Sequence, residues 1–255
     1  MKRKLVAVLA CRNNGSRLYG KPLQNLGNNP DINIISMMIN TLKKSKSISA
    51  IILAISNKKD NVIYQEIAKN NKIKFIFGPD EDVLKRLILG AKATNASDIF
   101  RVTTESPFIS FEYIDKIWKM HIKEENDLTI FSNNIDGMGF EIFTSDSLLI
   151  SHKKGNSRHR SELCDLYIRE NNKDFKVKYF LHNKYNKNYR LTVDNPEDLI
   201  LCKKLFIKYQ KDYPLISMRK IIKFLNNSKN DVKLTKKFMS SSKSINNLWS
   251  NVKKN

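Results

Sequence analysis

The chain has 255 residues, 41% of them hydrophobic, which suffices for one sizeable core, and no apolar run approaches the length of a membrane span. Its net charge of +21 is not that of a basic scaffold: residues 1–30 hold six basic groups and no acid, residues 219–255 hold ten and one, and the 188 residues between carry only +6. Three widely separated cysteines, Cys11, Cys164 and Cys202, exclude a disulfide framework and a zinc site.

Residues 5–10, Leu-Val-Ala-Val-Leu-Ala, form an apolar run without alternation, as a strand covered on both faces of a parallel sheet requires. Lys2, Arg3 and Lys4 before it give a secretion-signal flavour. Seven apolar residues followed at once by Arg12 fit a buried strand better, and a cytoplasmic protein is expected. The loop beyond carries Arg12, Arg17 and Lys21 ahead of the first acid, Asp31. Gly15 and Gly20 permit a tight path whose N–H groups make an anion-binding concavity. A polyphosphate is the expected guest; the alternative is solvated surface charge, the commoner fate of Arg and Lys.

Residues 34–46 place Ile35, Met38, Ile39 and Leu42 on one helical stripe. A strand over 50–55, a helix over 62–69 and a strand over 73–77 follow. This alternation predicts a right-handed parallel α/β sheet. Residues 80–95 read as a helix with acids at its start, and by spacing alone Asp82 and Arg86 on it form an exposed i,i+4 pair. A strand over 98–103 delivers Thr104, Glu105, Ser106 and Pro107 to its carboxyl end, where ligands gather in open α/β sheets.

A helix over 111–123 and a strand over 127–131 come next. Gly137 and Gly139 suit either a tight bend beside a ligand or a plain hairpin turn. Residues 157–169 are predicted as one helix, with His159 between Arg158 and Arg160 as either a bystander or an anchor for an acidic ligand. Strands over 175–180 and 189–193 precede a helix with Asn195 as N-cap and Pro196 at its first position. Beyond Gln210 the pattern loosens to a short helix over 218–225 and a lysine- and serine-rich segment with isolated Phe238 and Trp249. One main domain over 1–210 and a basic helix and tail over 211–255 are expected, the tail's partner being open.

The loop Ala-Cys-Arg-Asn-Asn-Gly-Ser-Arg-Leu-Tyr-Gly-Lys-Pro-Leu, residues 10–23, resembles the nucleotide loop of the sugar-acid cytidylyltransferases. That group holds CMP-KDO synthetases, acylneuraminate cytidylyltransferases and the SpsF-like proteins, and the SpsF-like branch is the most similar. Two further motifs follow in family order: Arg101-Val-Thr-Thr-Glu-Ser-Pro-Phe-Ile, and Tyr189-Arg-Leu-Thr-Val-Asp-Asn-Pro-Glu-Asp-Leu. Asp82-Val-Leu-Lys-Arg86 resembles a further SpsF-like stretch, as do Ser132-Asn133 and Asp136-Gly-Met-Gly-Phe-Glu-Ile-Phe. The chain departs from the family where Glu105 replaces the metal-binding aspartate, where Thr104 replaces a glycine of some members, and where Ser161-Glu162-Leu163 lacks the family histidine.

The resemblance implies a Rossmann-like (GT-A-type) α/β nucleotidyltransferase: a mostly parallel sheet flanked by helices, with a small β-rich insertion. It implies transfer of CMP from CTP to a sugar acid or related small acidic acceptor, with release of pyrophosphate, in surface glycan biosynthesis by a homodimer. Nucleotide contacts are expected from Ala10, Arg12, Asn13, Ser16, Arg17, Lys21, Asp82, Arg86 and Thr103. Acceptor contacts are expected from Asn133, Glu141 and His159. Glu105 and Asp194 would hold Mg²⁺, and together with Arg12 and Lys21 would carry the chemistry. A GT-A-like transferase using another nucleotide or a phosphorylated acceptor is the first alternative. The second, from a different class, is a basic RNA- or polymer-binding module, although the aromatic-and-basic motifs of RNA modules are missing and no specific nucleic acid is expected.

Overall fold

A computed structural model describes residues 3–15, 17–133, 135–182 and 189–239, with Asn133 described for its backbone alone. At its centre lies β1 (Leu5–Cys11), whose side chains alternate between two cores. Leu5, Ala7, Leu9 and Cys11 enter one core, and Val6 and Val8 the other. That double coverage is why the run is apolar without interruption.

The chain continues through α1 (Ile34–Leu42), β2 (Ile48–Ser56), α2 (Ile63–Asn70), β3 (Lys74–Gly78), α3 (Val83–Thr94) and β4 (Asp98–Arg101). Next come α4 (Ile114–Lys123), β5 (Leu128–Asn133), β6 (Ile135–Asp136), β7 (Phe140–Thr144), α5 (Ser145–Lys154), α6 (Ser157–Arg160) and α7 (Leu166–Glu170). The last elements are β8 (Val177–His182), β9 (Tyr189–Arg190), α8 (Pro196–Tyr209), α9 (Met218–Asn227) and α10 (Lys229–Lys236).

Seven strands form one sheet in the order β3-β2-β1-β4-β7-β5-β8, parallel except for β7, which runs antiparallel to both β4 and β5. The mostly parallel, helix-flanked α/β sheet is as expected. Chain direction places β2 and β3 on one side of β1 and β4 on the other, so a crevice opens at the carboxyl ends of β1 and β4. The two-residue strands β6 and β9 pair in parallel as a separate ribbon beside it.

Several elements differ from expectation, and the strand expected over 189–193 is only Tyr189–Arg190. β7 was not anticipated, because its partners β4 and β5 lie elsewhere in the chain and five residues give little local periodicity. The predicted helix over 157–169 is split between α6 and α7: Ser161 turns extended (φ −71°, ψ −163°) and its hydroxyl accepts the Leu163 N–H at 3.4 Å, competing with the helical ladder. α10 follows α9 without a long break, and both return to the main core through Met218, Ile221, Leu225 and Val232. Residues 240–255, with Trp249, lie outside the described residues. Among the described residues no helix is long and apolar enough to cross a membrane.

Candidate active site

The crevice is a cleft of about 680 Å³ lined by the loop after β1, the segment after β4, the β6–β7 turn and the segment after β9. The loop is held from below. Asn13 N–H donates to Asn61 Oδ1 at 2.6 Å, Asn13 Nδ2 donates to the Asp60 carbonyl, and Tyr64 Oη donates to the Arg12 carbonyl at 3.3 Å. Gly20 takes the left-handed conformation (φ 60°), and its N–H closes the loop on the Asn13 carbonyl at 2.8 Å. A 3-10 turn over Lys21–Leu23 then starts, with Pro22 early in it, and Lys21 projects into the cleft.

Lys21, Glu105 and Asp194 all line this one cleft. Lys21 Nζ lies 2.5 Å from Asp194 Oδ1, and Arg17 Nη2 lies 3.3 Å from the same oxygen. Arg190 Nη2 donates to Asp194 Oδ2. Burial opposes ionisation of Asp194, but Lys21, Arg190 and Arg17 outweigh it and hold the carboxyl below its usual range. Glu105 is joined to the same neighbourhood by its backbone, the carbonyl accepting the Val193 N–H at 2.9 Å. Its carboxyl is pushed up by burial, which outweighs the attraction of Lys21 and is reinforced by Asp194 and Glu162. Two acids and the loop cations thus converge, although they come from three distant parts of the chain.

Ala10, Arg12, Asn13, Arg86, Thr103 and Glu141 also line the cleft. The Ala10 carbonyl accepts from Thr104 Oγ1 at 2.9 Å, and Thr103 Oγ1 lies 2.8 Å from Ser106 Oγ, which ties the segment after β4 to the end of β1. Arg86 is 1% exposed; its Nη1 donates to the Cys11 carbonyl at 3.4 Å while its Nε has no partner among the described residues. Glu141 pairs with Arg101 at 2.9 Å. Ser16 and the Asn133 side chain lie outside the described residues.

Two expected residues are engaged elsewhere. Asp82 caps α3, its Oδ1 accepting the Lys85 N–H at 2.7 Å and its Oδ2 pairing with His152 at 2.8 Å, so it does not join the cleft lining. His159 is buried in the first turn of α6 and completes a capping box with the N-cap Asn156: its Nδ1 accepts the Asn156 N–H at 2.9 Å and its Nε2 lies 2.8 Å from Glu170. Arg158 pairs with Glu170, and Arg160 donates to the His152 carbonyl at 3.0 Å. The predicted cationic trio is thus engaged in contacts within its own segment and with Glu170 and His152.

Arg101, Arg190, Asp136, Glu162 and Asp165 line the cleft without having been singled out. Arg101 and Arg190 stand inside the matched motifs, a signal that could have found them.

Residues 6–222 match the cytidylyltransferase family. An uncharacterized protein of Methanocaldococcus jannaschii is 33% identical over 227 residues, covering 88% of this chain and 90% of its own. The spore coat polysaccharide biosynthesis protein SpsF of Bacillus subtilis is 26% identical over 231 residues, covering 87% and 94%. A solved cytidylyltransferase from Leptospira borgpetersenii serovar Hardjo-bovis shares the fold with a TM-score of 0.81 at 23% identity, over 91% of this chain and 97% of that one.

Proposed function

The chain belongs to the cytidylyltransferase family, a CTP-dependent nucleotidyltransferase, and we propose that it transfers CMP from CTP to a sugar acid or related small acidic acceptor, releasing pyrophosphate. The similarity to a spore coat polysaccharide biosynthesis protein supports a role in surface glycan assembly. Mg²⁺ as the metal, a homodimer and a cytoplasmic location complete the reading.

The observation that carries it is the convergence of Lys21, Glu105 and Asp194 in one cleft. In this reading Arg12, Arg17 and Lys21, with the loop N–H groups, grip the triphosphate and hold the α-phosphorus for in-line attack by the acceptor hydroxyl. Lys21 and Arg17 are paired with Asp194 in the free protein and exchange that carboxylate for phosphate oxygens. Glu141, with its partner Arg101, faces the acceptor end, and Asn133 is assigned to the same end.

Glu105 and Asp194 suit a hard cation: both are oxygen donors at one cleft, and Mg²⁺ takes one or two carboxylates together with substrate phosphates. Held by these residues, Mg²⁺ would neutralise charge developing on the phosphate oxygens. The chain's own cations and dipoles supply the remaining stabilisation and need no reorganisation when the bond breaks.

Pyrophosphate release from each of the four nucleoside triphosphates, with a panel of sugar acids, tests the proposal. Release with CTP and an acidic sugar is expected, and equal release with any other triphosphate contradicts the nucleotide assignment.

A further inference from the structure

Asp194 presents two chemically different edges. Oδ1 faces Lys21 and Arg17, both on the amino-terminal loop, whose side chains are 18% and 44% exposed. Oδ2 faces Arg190, which is 3% exposed and sits four residues earlier, behind the acid. The loop cations are those that a triphosphate would claim. Arg190 is too deep to leave.

Arg190 is itself fixed on more than one side. Its Nε donates to Asp198 Oδ1 at 3.0 Å, and its Nη1 donates to Asp136 Oδ2 at 2.6 Å. Asp198 is fully buried, and its Oδ2 accepts the backbone N–H groups of Asp194 at 3.1 Å and Asn195 at 3.0 Å. The guanidinium and Asp198 therefore grip Asp194 by side chain and backbone together. A planar guanidinium can serve three carboxylates in fixed directions, which an ammonium cannot do. Asp136 stands at the start of the turn through Gly137, and the Leu191 N–H donates to the Asp136 carbonyl at 2.8 Å, so the same frame ties the acceptor-side turn to Asp194.

We propose that Arg190 is a positioning residue for cytidylyl transfer: anchored by Asp198 and Asp136, it holds Asp194 in its metal-binding orientation after Lys21 and Arg17 move to the triphosphate. The inference rests on the assignment of Asp194 as a metal ligand. Arg190 touches neither substrate nor metal in this role. Its loss should loosen the carboxylate without disturbing the loop that binds phosphate.

The test is calorimetric titration with CTP in the presence and absence of Mn²⁺, used as the probe cation, on the full chain and on Arg190→Lys, Asp198→Asn and Asp194→Asn. In the unsubstituted protein Mn²⁺ should tighten CTP at least tenfold. Arg190→Lys should keep the metal-free CTP affinity within threefold and lose most of the tightening, with Asp198→Asn showing the same split at smaller amplitude. Full tightening in Arg190→Lys alongside its loss in Asp194→Asn would overturn the positioning role and leave the metal assignment standing. Full tightening in Asp194→Asn would remove the metal assignment and this inference with it. If Arg190→Lys and Asp198→Asn both fail to fold, Arg190 serves stability and the proposal is overturned.

Discussion

Lys21 and Asp194, 173 residues apart in sequence, meet at 2.5 Å across the cleft. The contact joins the loop after β1 to the segment leading into α8, and it brings the cations of that loop onto an acid of the last motif. Charge that is dispersed along the sequence is concentrated where a triphosphate would enter.

Arg17 has a 44% exposed side chain that pairs with Asp194, so its removal leaves the core intact. Arg17→Ala should weaken CTP binding about 10- to 100-fold, the range for losing a hydrogen bond to a charged group. Calorimetry with CTP measures this, and unchanged affinity would remove Arg17 from the triphosphate site.

At the other end of the sheet, Asp98 is fully buried and accepts from Arg3 Nε at 2.9 Å, with His121 Nε2 at 3.1 Å. Burial raises its pKa, but the hydrogen bonds from His121, Arg3 and Ser97 prevail and leave it lowered from 3.8. The folded protein thus binds that proton less readily than the unfolded chain. The stabilisation is complete above the ordinary value of 3.8 and is lost as pH falls through the lower folded-state pKa. Urea midpoints should therefore drop steeply below pH ~4, and Asp98→Asn should flatten that drop while costing about 3 kcal/mol at neutral pH.

Gly137 sits at φ +89°, and a Cβ there would lie 2.5 Å from the Thr192 N. Gly137→Ala combines an unfavourable backbone conformation with overlap against a neighbouring segment, at a cost of roughly 2–4 kcal/mol. Thermal melting should show a fall of several degrees. An unchanged melting temperature would mean that the turn relaxes freely.

Truncation after Gln210 spares the cleft residues but removes Ile216, Met218, Ile221 and Leu225, each at most 3% exposed. Fully buried aliphatic side chains contribute about 1.5–3 kcal/mol each, so the shortened chain should be much less stable. A functional division near Gln210 survives only if the truncated protein still melts cooperatively, which circular dichroism would show.

Much of this arrangement was legible before the structure. The apolar run of β1 declared a strand covered on both faces, and the motifs named Arg12, Lys21, Glu105 and Asp194, all of which line the cleft. What escaped depends on distant partners. β7 is defined by strands on either side of it, and the role of Arg190 depends on Asp136, 54 residues away. Asp82 and His159 show the reverse: each is an expected site residue, yet each gives a carboxylate oxygen or ring nitrogen to a backbone N–H three residues away. Such helix-capping bonds use the same residue types that a ligand site would use.

The most direct test of the central claim is pyrophosphate release from CTP, with an acceptor that supports it, by the unsubstituted protein and by Asp194→Asn. Turnover should fall on the order of 100-fold or more in the variant while its melting temperature changes by only a few degrees. Full turnover in Asp194→Asn would contradict the assignment of this cleft as the site of cytidylyl transfer.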